Sequence, residues 1–275
     1  MPKFESIEKL QQNLLEQNTN CLDVVKYYIS RIEENKELNA FVEVFEEEAI
    51  AVAKKLDEKI QHDSSSLGKL FGIVISVKDN ICIKGKEVTA ASNILEGFES
   101  TFTATAIQKL LDEDAIIIGR TNCDEFAMGS ANSNSKYGAT RNAANPNHVP
   151  GGSSGGSAVS VQADCCLISI GSDTGGSVRQ PAGFCGVVGF KPSYGRISRY
   201  GLLAYASSFD QIGILAHSVK DVALVSEIMY GHDKMDATSS QREVPTFNDS
   251  LKQSLNTSKK IACFSGILNN EEIDI

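Results

Sequence analysis

Twelve of the 22 glycines in this 275-residue chain fall between residues 151 and 201. They surround two serine clusters: Gly151-Gly152-Ser153-Ser154-Gly155-Gly156-Ser157 and Gly171-Ser172-Asp173-Thr174-Gly175-Gly176-Ser177-Val178-Arg179. Glycine lets a backbone turn sharply and approach a ligand closely. Here it is interleaved with particular apolar and charged residues, so the region reads as built loops and not as a flexible linker.

The flanking elements alternate in type. Asn20 is placed to cap a helix carrying Leu22, Val25, Ile29 and Ile32 on one face, and Ala49, Val52, Ala53, Leu56 and Ile60 mark a second. Ser64-Ser65-Ser66 breaks that pattern. Ile73–Val77, Ala115–Ile118 and Cys166–Ile170 are short apolar runs rich in β-branched residues, which predicts buried strands. Thr105–Leu111 and Ala158–Ala163 read as helices, and Ser218-Val219-Lys220-Asp221 as a capping box opening a helix to Met229. The alternation implies an α/β layered fold. We divide the chain into an N-terminal helical segment, 1–62, and a core, 63–275. At the end, Lys260–Phe264 reads as a strand and Asn269–Glu272 as the start of a helix. A lone β-α beginning cannot bury itself, so the sequence is expected to be truncated at Ile275.

Composition excludes several classes. The chain is 41% apolar and 22% charged, ordinary for a soluble protein, and no apolar run approaches the ~20 residues of a membrane helix. Met1-Pro2-Lys3-Phe4-Glu5 lacks the character of a leader, which makes a cytoplasmic location the expectation. Net charge is −9, and residues 1–62 carry 13 acidic against 8 basic side chains. That balance argues against direct binding to a nucleic-acid backbone. Seven cysteines, an odd number without C-x-x-C spacing, predict neither zinc nor a disulfide framework. Cys165 and Cys166 read as buried thiols.

Three chemistries compete for the serine clusters. A phosphate loop needs G-x-x-x-x-G-K-[ST], which is absent. Gly151-Gly152-Ser153-Ser154-Gly155 satisfies G-x-S-x-G, but a nucleophile elbow follows a strand directly, and Pro146 and Pro150 stand where that strand would be. His217 and His232 lie in polar or turn-like settings, poor places for a triad base. The third reading uses both clusters. The strand ending at Ile170 runs into a glycine turn, and Ser177 follows it. The N–H groups of Thr174, Gly175, Gly176 and Ser177 can then converge on an oxyanion. Ser177 needs a base, and Ser-Lys chemistry is a known variant. Lys78 follows the apolar run Ile73–Val77, which would carry it inside and favour its neutral form. Most lysines are solvated, so these residues alone leave the assignment open.

Three segments, in order, resemble the amidase signature family. They are Val77-Lys78-Asp79-Asn80, the loop around Ser153, and Thr174-Gly175-Gly176-Ser177-Val178-Arg179. The separations, 75 positions from Lys78 to Ser153 and 24 from Ser153 to Ser177, agree with that family. Further stretches resemble the glutaminase subunits of tRNA-dependent amidotransferases within it: Lys78–Cys82, Thr121–Ser130, Phe190–Gly201 and Ser207–Gly213. Ile214 departs from a proline common in relatives. Relatives are also longer, with a C-terminal part that completes the sheet and holds the glutamine α-amino and α-carboxylate groups.

The resemblance implies α/β/α layers around a mixed central sheet, incomplete here, with N-terminal helices. It implies a Ser-cisSer-Lys triad in which Ser177 attacks the glutamine side-chain amide, while Ser153 relays protons between Ser177 and neutral Lys78. The released ammonia would pass to the B subunit of an amidotransferase complex that also contains a C subunit. There ATP and magnesium would activate a misacylated tRNA bound mainly through the partner, Glu-tRNA(Gln) or Asp-tRNA(Asn). This chain would need no metal or nucleotide of its own. Asp173 and Arg179, flanking the nucleophile, are read as a supporting ion pair, with Ser154 beside Ser153. Ala127, Met128, Gly129 and Ser130 are expected to wall the substrate pocket, and Asp124-Glu125 to be a solvated acidic pair. Two other readings stay open: a free-standing amidase acting on a small amide, and an inactive fragment or scaffold.

Overall fold

The computed structural model describes residues 4–247 and residue 251. The strand and helix read at 260–264 and 269–272 lie outside the described residues. In chain order the elements are α1 (Ile7–Leu15), α2 (Cys21–Glu34), β1 (Phe41–Val44), α3 (Glu46–His62), β2 (Val74–Lys78), α4 (Thr105–Asp112), β3 (Ile116–Thr121), α5 (Gly155–Gln162), β4 (Ile168–Asp173), α6 (Arg179–Cys185), β5 (Val188–Phe190), β6 (Gln211–Ala216) and α7 (Val219–Met229).

The six strands of the described residues form one mixed sheet in the order β1-β3-β2-β4-β6-β5. The central strands β3, β2 and β4 are parallel, while β1, β6 and β5 pair antiparallel to their neighbours. The fold is therefore α/β, as the alternation of elements suggests. Strand β1 belongs to the N-terminal segment but lies at the sheet edge. Its four residues are too short a run to stand out in sequence, and pairing with β3 is what makes them a strand.

Local signals place the helices well. Asn20 Oδ1 caps α2 by accepting the Asp23 N–H at 2.8 Å, and Ser218 Oγ caps α7 by accepting that of Asp221 at 3.1 Å. The face of α2 is rotated from the one read in sequence: Val24, Val25, Tyr28 and Ile32 are buried, whereas Leu22 and Ile29 are partly so. In α3, Ala49, Ala53 and Leu56 face inward, and Val52 faces out. One hydrophobic cluster runs from Phe4 on the N-terminal side to Tyr230.

Helix α5 is buried along almost its whole length. Small residues allow this: a Cβ on Gly156 would stand 2.5 Å from the Asn122 carbonyl oxygen and 2.6 Å from that of Ala40. Beneath it, Ser76 Oγ donates to Ser169 Oγ at 2.7 Å and lies 3.1 Å from Ser160 Oγ. The buried hydroxyls thus satisfy one another where helix and sheet meet.

Candidate active site

The parallel strands β2, β3 and β4 all end on one side of the sheet, where open α/β sheets bind ligands. Val77 of β2 pairs with Ile170 of β4, which sets Lys78 beside the last residues of β4. Lys78 is fully buried. Its Nζ donates to Ser153 Oγ at 2.7 Å and to Ser172 Oγ at 2.9 Å. Burial pushes the amine down to about 8, against the opposing pull of Cys123, Asp124, Asp173 and Asp210. A lysine so placed is partly neutral near physiological pH and able to accept a proton.

Ser153 follows a cis peptide bond from Gly152. Its loop is tied down on several sides. The Ser153 carbonyl accepts the Asp124 N–H at 3.2 Å, and the Gly152 N–H donates to Gln180 Oε1 at 2.9 Å. Ser154 Oγ donates to the Ser172 carbonyl at 3.0 Å, and its N–H donates to the carbonyl of Ser177 at 3.1 Å. The two serine clusters therefore meet, with Ser177 bonded through its backbone to the residue after Ser153. The Ser177 hydroxyl itself makes no hydrogen bond among the described residues, and the residue is partly exposed. A reactive hydroxyl open to substrate has this character.

The turn before Ser177 is built on Asp173. Its buried carboxylate accepts the N–H groups of Gly176, Val178 and Arg179 at 2.8, 3.1 and 3.2 Å, and both Nε and Nη2 of Arg179. Desolvation pushes this carboxyl up, but Arg179 and the three N–H groups more than offset it and hold it below the ordinary value. This corrects the expected oxyanion nest. The Gly176 N–H is turned to Asp173, while those of Thr174, Gly175 and Ser177 have no acceptor among the described residues. The ion pair read between Asp173 and Arg179 forms.

The acidic pair Asp124-Glu125 is not solvated as expected. Asp124 is buried, and its carboxylate accepts the N–H groups of Asn132, Ser133 and Asn134 at 2.9, 3.1 and 3.3 Å. Glu125 is half-buried and accepts the Ser92 hydroxyl at 2.6 Å. Among the expected pocket residues, Ala127 is buried, whereas Met128, Gly129 and Ser130 are exposed. Gln180 Nε2 donates to the Ser130 carbonyl at 3.0 Å, so Gln180 links this stretch to the Ser153 loop. Sequence reasoning missed Gln180, Ser172 and Asn80. Only Gln180 carried a usable signal, its place three residues after Ser177 on a helix that opens at the site.

Among the described residues no three His, Cys, Asp or Glu side chains are grouped to hold a metal ion. No helix among them is long and apolar enough to cross a membrane.

Residues 23–270 match the family model described as Amidase. The chain belongs to the amidase family. It is 53% identical over 245 residues, 89% of its length, to the A subunit of the glutamyl-tRNA(Gln) amidotransferase of Chlorobium limicola, covering 52% of that protein. The protein of the same name from Chlorobaculum parvum is 52% identical over 249 residues, 90% of this chain and again 52% of the relative. This amidase-family chain thus spans about half the length of the curated relatives it matches. Among solved structures, the A subunit of the glutamyl-tRNA(Gln) amidotransferase of Thermotoga maritima is 41% identical, with a TM-score of 0.71, over 83% of this chain and 49% of that one. The peptide amidase of Stenotrophomonas maltophilia is 31% identical, with a TM-score of 0.82, over 90% and 52%.

Proposed function

We propose that this chain carries the glutaminase centre of a tRNA-dependent amidotransferase, with Ser177 as nucleophile, Ser153 as proton relay and Lys78 as base. The observation that carries the reading is the 2.7 Å hydrogen bond between buried Lys78 and Ser153, in a loop bonded directly to Ser177. The resemblance to the glutamyl-tRNA(Gln) amidotransferase relatives supports the choice of glutamine as substrate.

In this mechanism neutral Lys78 takes the Ser153 proton as Ser153 takes that of Ser177. The Ser177 oxygen attacks the glutamine side-chain amide carbon. The negative charge on the former carbonyl oxygen is met by the N–H groups of Thr174, Gly175 and Ser177. The Lys78 ammonium then returns its proton through Ser153 to the amide nitrogen, and ammonia leaves. Water, deprotonated along the same relay, releases glutamate from Ser177. The Ser153–Ser177 hydrogen bond closes with substrate bound, as catalytic hydrogen bonds commonly tighten in the Michaelis complex.

The same proposal assigns the ammonia to the B subunit, in a cytoplasmic complex that the C subunit completes. The B partner uses ATP and magnesium to convert Glu-tRNA(Gln), Asp-tRNA(Asn) or both. Ala127–Ser130 are assigned to the pocket wall.

The test is twofold. A fluorophosphonate should label Ser177 in this chain; Ser177→Ala should abolish labelling, and Ser153→Ala or Lys78→Ala should slow it by about 10² to 10⁴. Ammonia release from glutamine should rise when the B and C subunits are added. Turnover of a small amide that partners leave unchanged would favour a free-standing amidase. Labelling of Lys78→Ala at the parent rate would refute the base assignment.

A further inference from the structure

Lys78 faces two hydroxyls. Its Nζ lies 2.7 Å from Ser153 Oγ and 2.9 Å from Ser172 Oγ. Ser172 Oγ also accepts Asn80 Nδ2–H at 3.0 Å. All four side chains are buried, and Asn80 Oδ1 has no hydrogen-bond partner among the described residues.

Counting donors and acceptors constrains the proton. As an ammonium, Lys78 can donate to both hydroxyls. As a free amine it has two N–H donors and one lone pair, so only one hydroxyl can give its hydrogen to nitrogen. Base catalysis through Ser153 requires the lone pair to face Ser153 and an N–H to face Ser172. While the Asn80 amide donates to Ser172, the only acceptor within reach of the Ser172 hydrogen, among the described residues, is Nζ itself. Ser172 then competes with Ser153 for the lone pair. A half-turn of the amide about its terminal bond exchanges Nδ2 for Oδ1. The orphaned oxygen gains the Ser172 hydrogen, Ser172 keeps its lone pairs for a Lys78 N–H, and the lysine lone pair is left to Ser153. The turn keeps the number of hydrogen bonds among these groups the same, exchanging an unpaired Oδ1 for an unpaired Nδ2–H, so both amide positions are open once the amine is neutral.

We propose that Ser172 and Asn80 are positioning residues that decide which hydroxyl Lys78 deprotonates, with the Asn80 amide as a two-position selector. This rests on the reading of Lys78 as base. The other groups facing the amine are Cys123 and Asp124 after β3, Asp173 at the end of β4 and Asp210 before β6. The carboxylates favour the ammonium, but none of these groups hydrogen-bonds to Nζ among the described residues, so none chooses between the hydroxyls. Asn80 is the group that does.

The test combines the pH–rate profile of Ser177 acylation by a fluorophosphonate with an NMR titration of ¹³C-labelled Lys78. Both are run on the parent chain and on Ser172→Ala, Ser172→Thr and Asn80→Asp. Ser172→Ala should slow acylation roughly ten- to a hundredfold, the scale of a misplaced reacting group. It should also move the Lys78 titration to lower pH, because the ammonium loses an acceptor. Ser172→Thr, which keeps the hydroxyl, should recover most of the rate. Asn80→Asp should move the titration to higher pH, because a carboxylate beside Ser172 favours the ammonium. An unmoved titration in Ser172→Ala and Asn80→Asp overturns the proposal, as does a rate loss that threonine does not recover. If Ser172→Ala does not fold, the Asn80→Asp titration decides alone. Lys78→Ala separates the two levels: parent-like acylation there sinks the base assignment, whereas a dead Lys78→Ala beside an unaffected Ser172→Ala sinks only the selector.

Discussion

The Asp173 carboxylate accepts the Gly176 backbone N–H at 2.8 Å, folding the turn ahead of Ser177 back onto the end of its own strand. Arg179 closes on the same carboxylate from the first turn of α6. One buried anion thus organises both the glycine turn before Ser177 and the helix that follows it. Removing it leaves three N–H groups and a guanidinium without their acceptor. Asp173→Ala is expected to cost about 3 kcal/mol or more, the scale of a broken buried pair. Arg179 is half-exposed, so Arg179→Ala should cost only about 1 kcal/mol. Urea unfolding of both variants measures this. Equal losses would mean that the ion pair, and not the backbone cradle, holds the turn.

Lys78 should make stability depend on pH in a calculable direction. Its folded value is about 8 against an ordinary 10.5. Between these values the unfolded chain binds more protons, so stability rises with pH there. Below about 8 the cost of burying the ammonium is present in full. Lys78→Met removes the ammonium, so it should gain on the parent at neutral and acid pH, and that advantage should shrink by roughly 3 kcal/mol across the window. Acylation of Ser177 should climb with pH and level off above about 8 in the parent. A Lys78→Met stability difference that stays flat from pH 7 to about 10.5 would contradict the burial argument.

Glycine has a packing role at one position of α5 that is lacking at another position in α6. Gly156→Ala drives a Cβ into the Asn122 backbone and the Ala40 carbonyl, and the helix cannot retreat because it is buried almost throughout. The expected cost is about 1–3 kcal/mol, with slower acylation because Ser154, whose N–H donates to the Ser177 carbonyl, leads directly into the same helix. A Cβ on Gly183 in α6 meets nothing within 4 Å. Gly183→Ala should therefore be neutral or stabilising by up to about 1 kcal/mol. Thermal or chemical melts of the pair check the contrast, which disappears if α5 can shift.

Much of this site was legible because its signals are local. Glycine clusters mark turns, and a lysine at the end of an apolar strand is carried inward with it. Asn20 and Ser218 were readable as caps because the cap bond closes within three residues. Gly176 was misread for the opposite reason. The Asp173 carboxylate, three residues earlier, offers a competing local acceptor, and an Asp before a glycine turn is a signal for that competition. Ser172 and Asn80 meet across 92 positions of sequence, and a serine inside a strand carries no mark of what it will face. Asp124 looked solvated because an acidic pair usually is. Its burial depends on a loop eight to ten residues later folding over it.

The register of the sheet also predicts the fate of a histidine mechanism. Strand β6 runs antiparallel to β4, with Gln211 opposite Asp173 and Ala216 opposite Ile168. His217 follows Ala216, so it leaves the sheet at the end away from Asp173 and Ser177. A six-residue strand spans about 17 Å between its ends, several times the ~3 Å a proton transfer allows. Asp221, in the helix that follows His217, accepts the Ile7 N–H at 3.1 Å, which anchors that end of the molecule to α1 and not to the site. His217→Ala should therefore leave fluorophosphonate labelling of Ser177 within about twofold of the parent, while Lys78→Ala should lower it by about 10² to 10⁴. The pH–rate limb in His217→Ala should stay where Lys78 sets it, near 8. A collapse of acylation with the fold intact would mean that His217 reaches Ser177 by a route this register forbids.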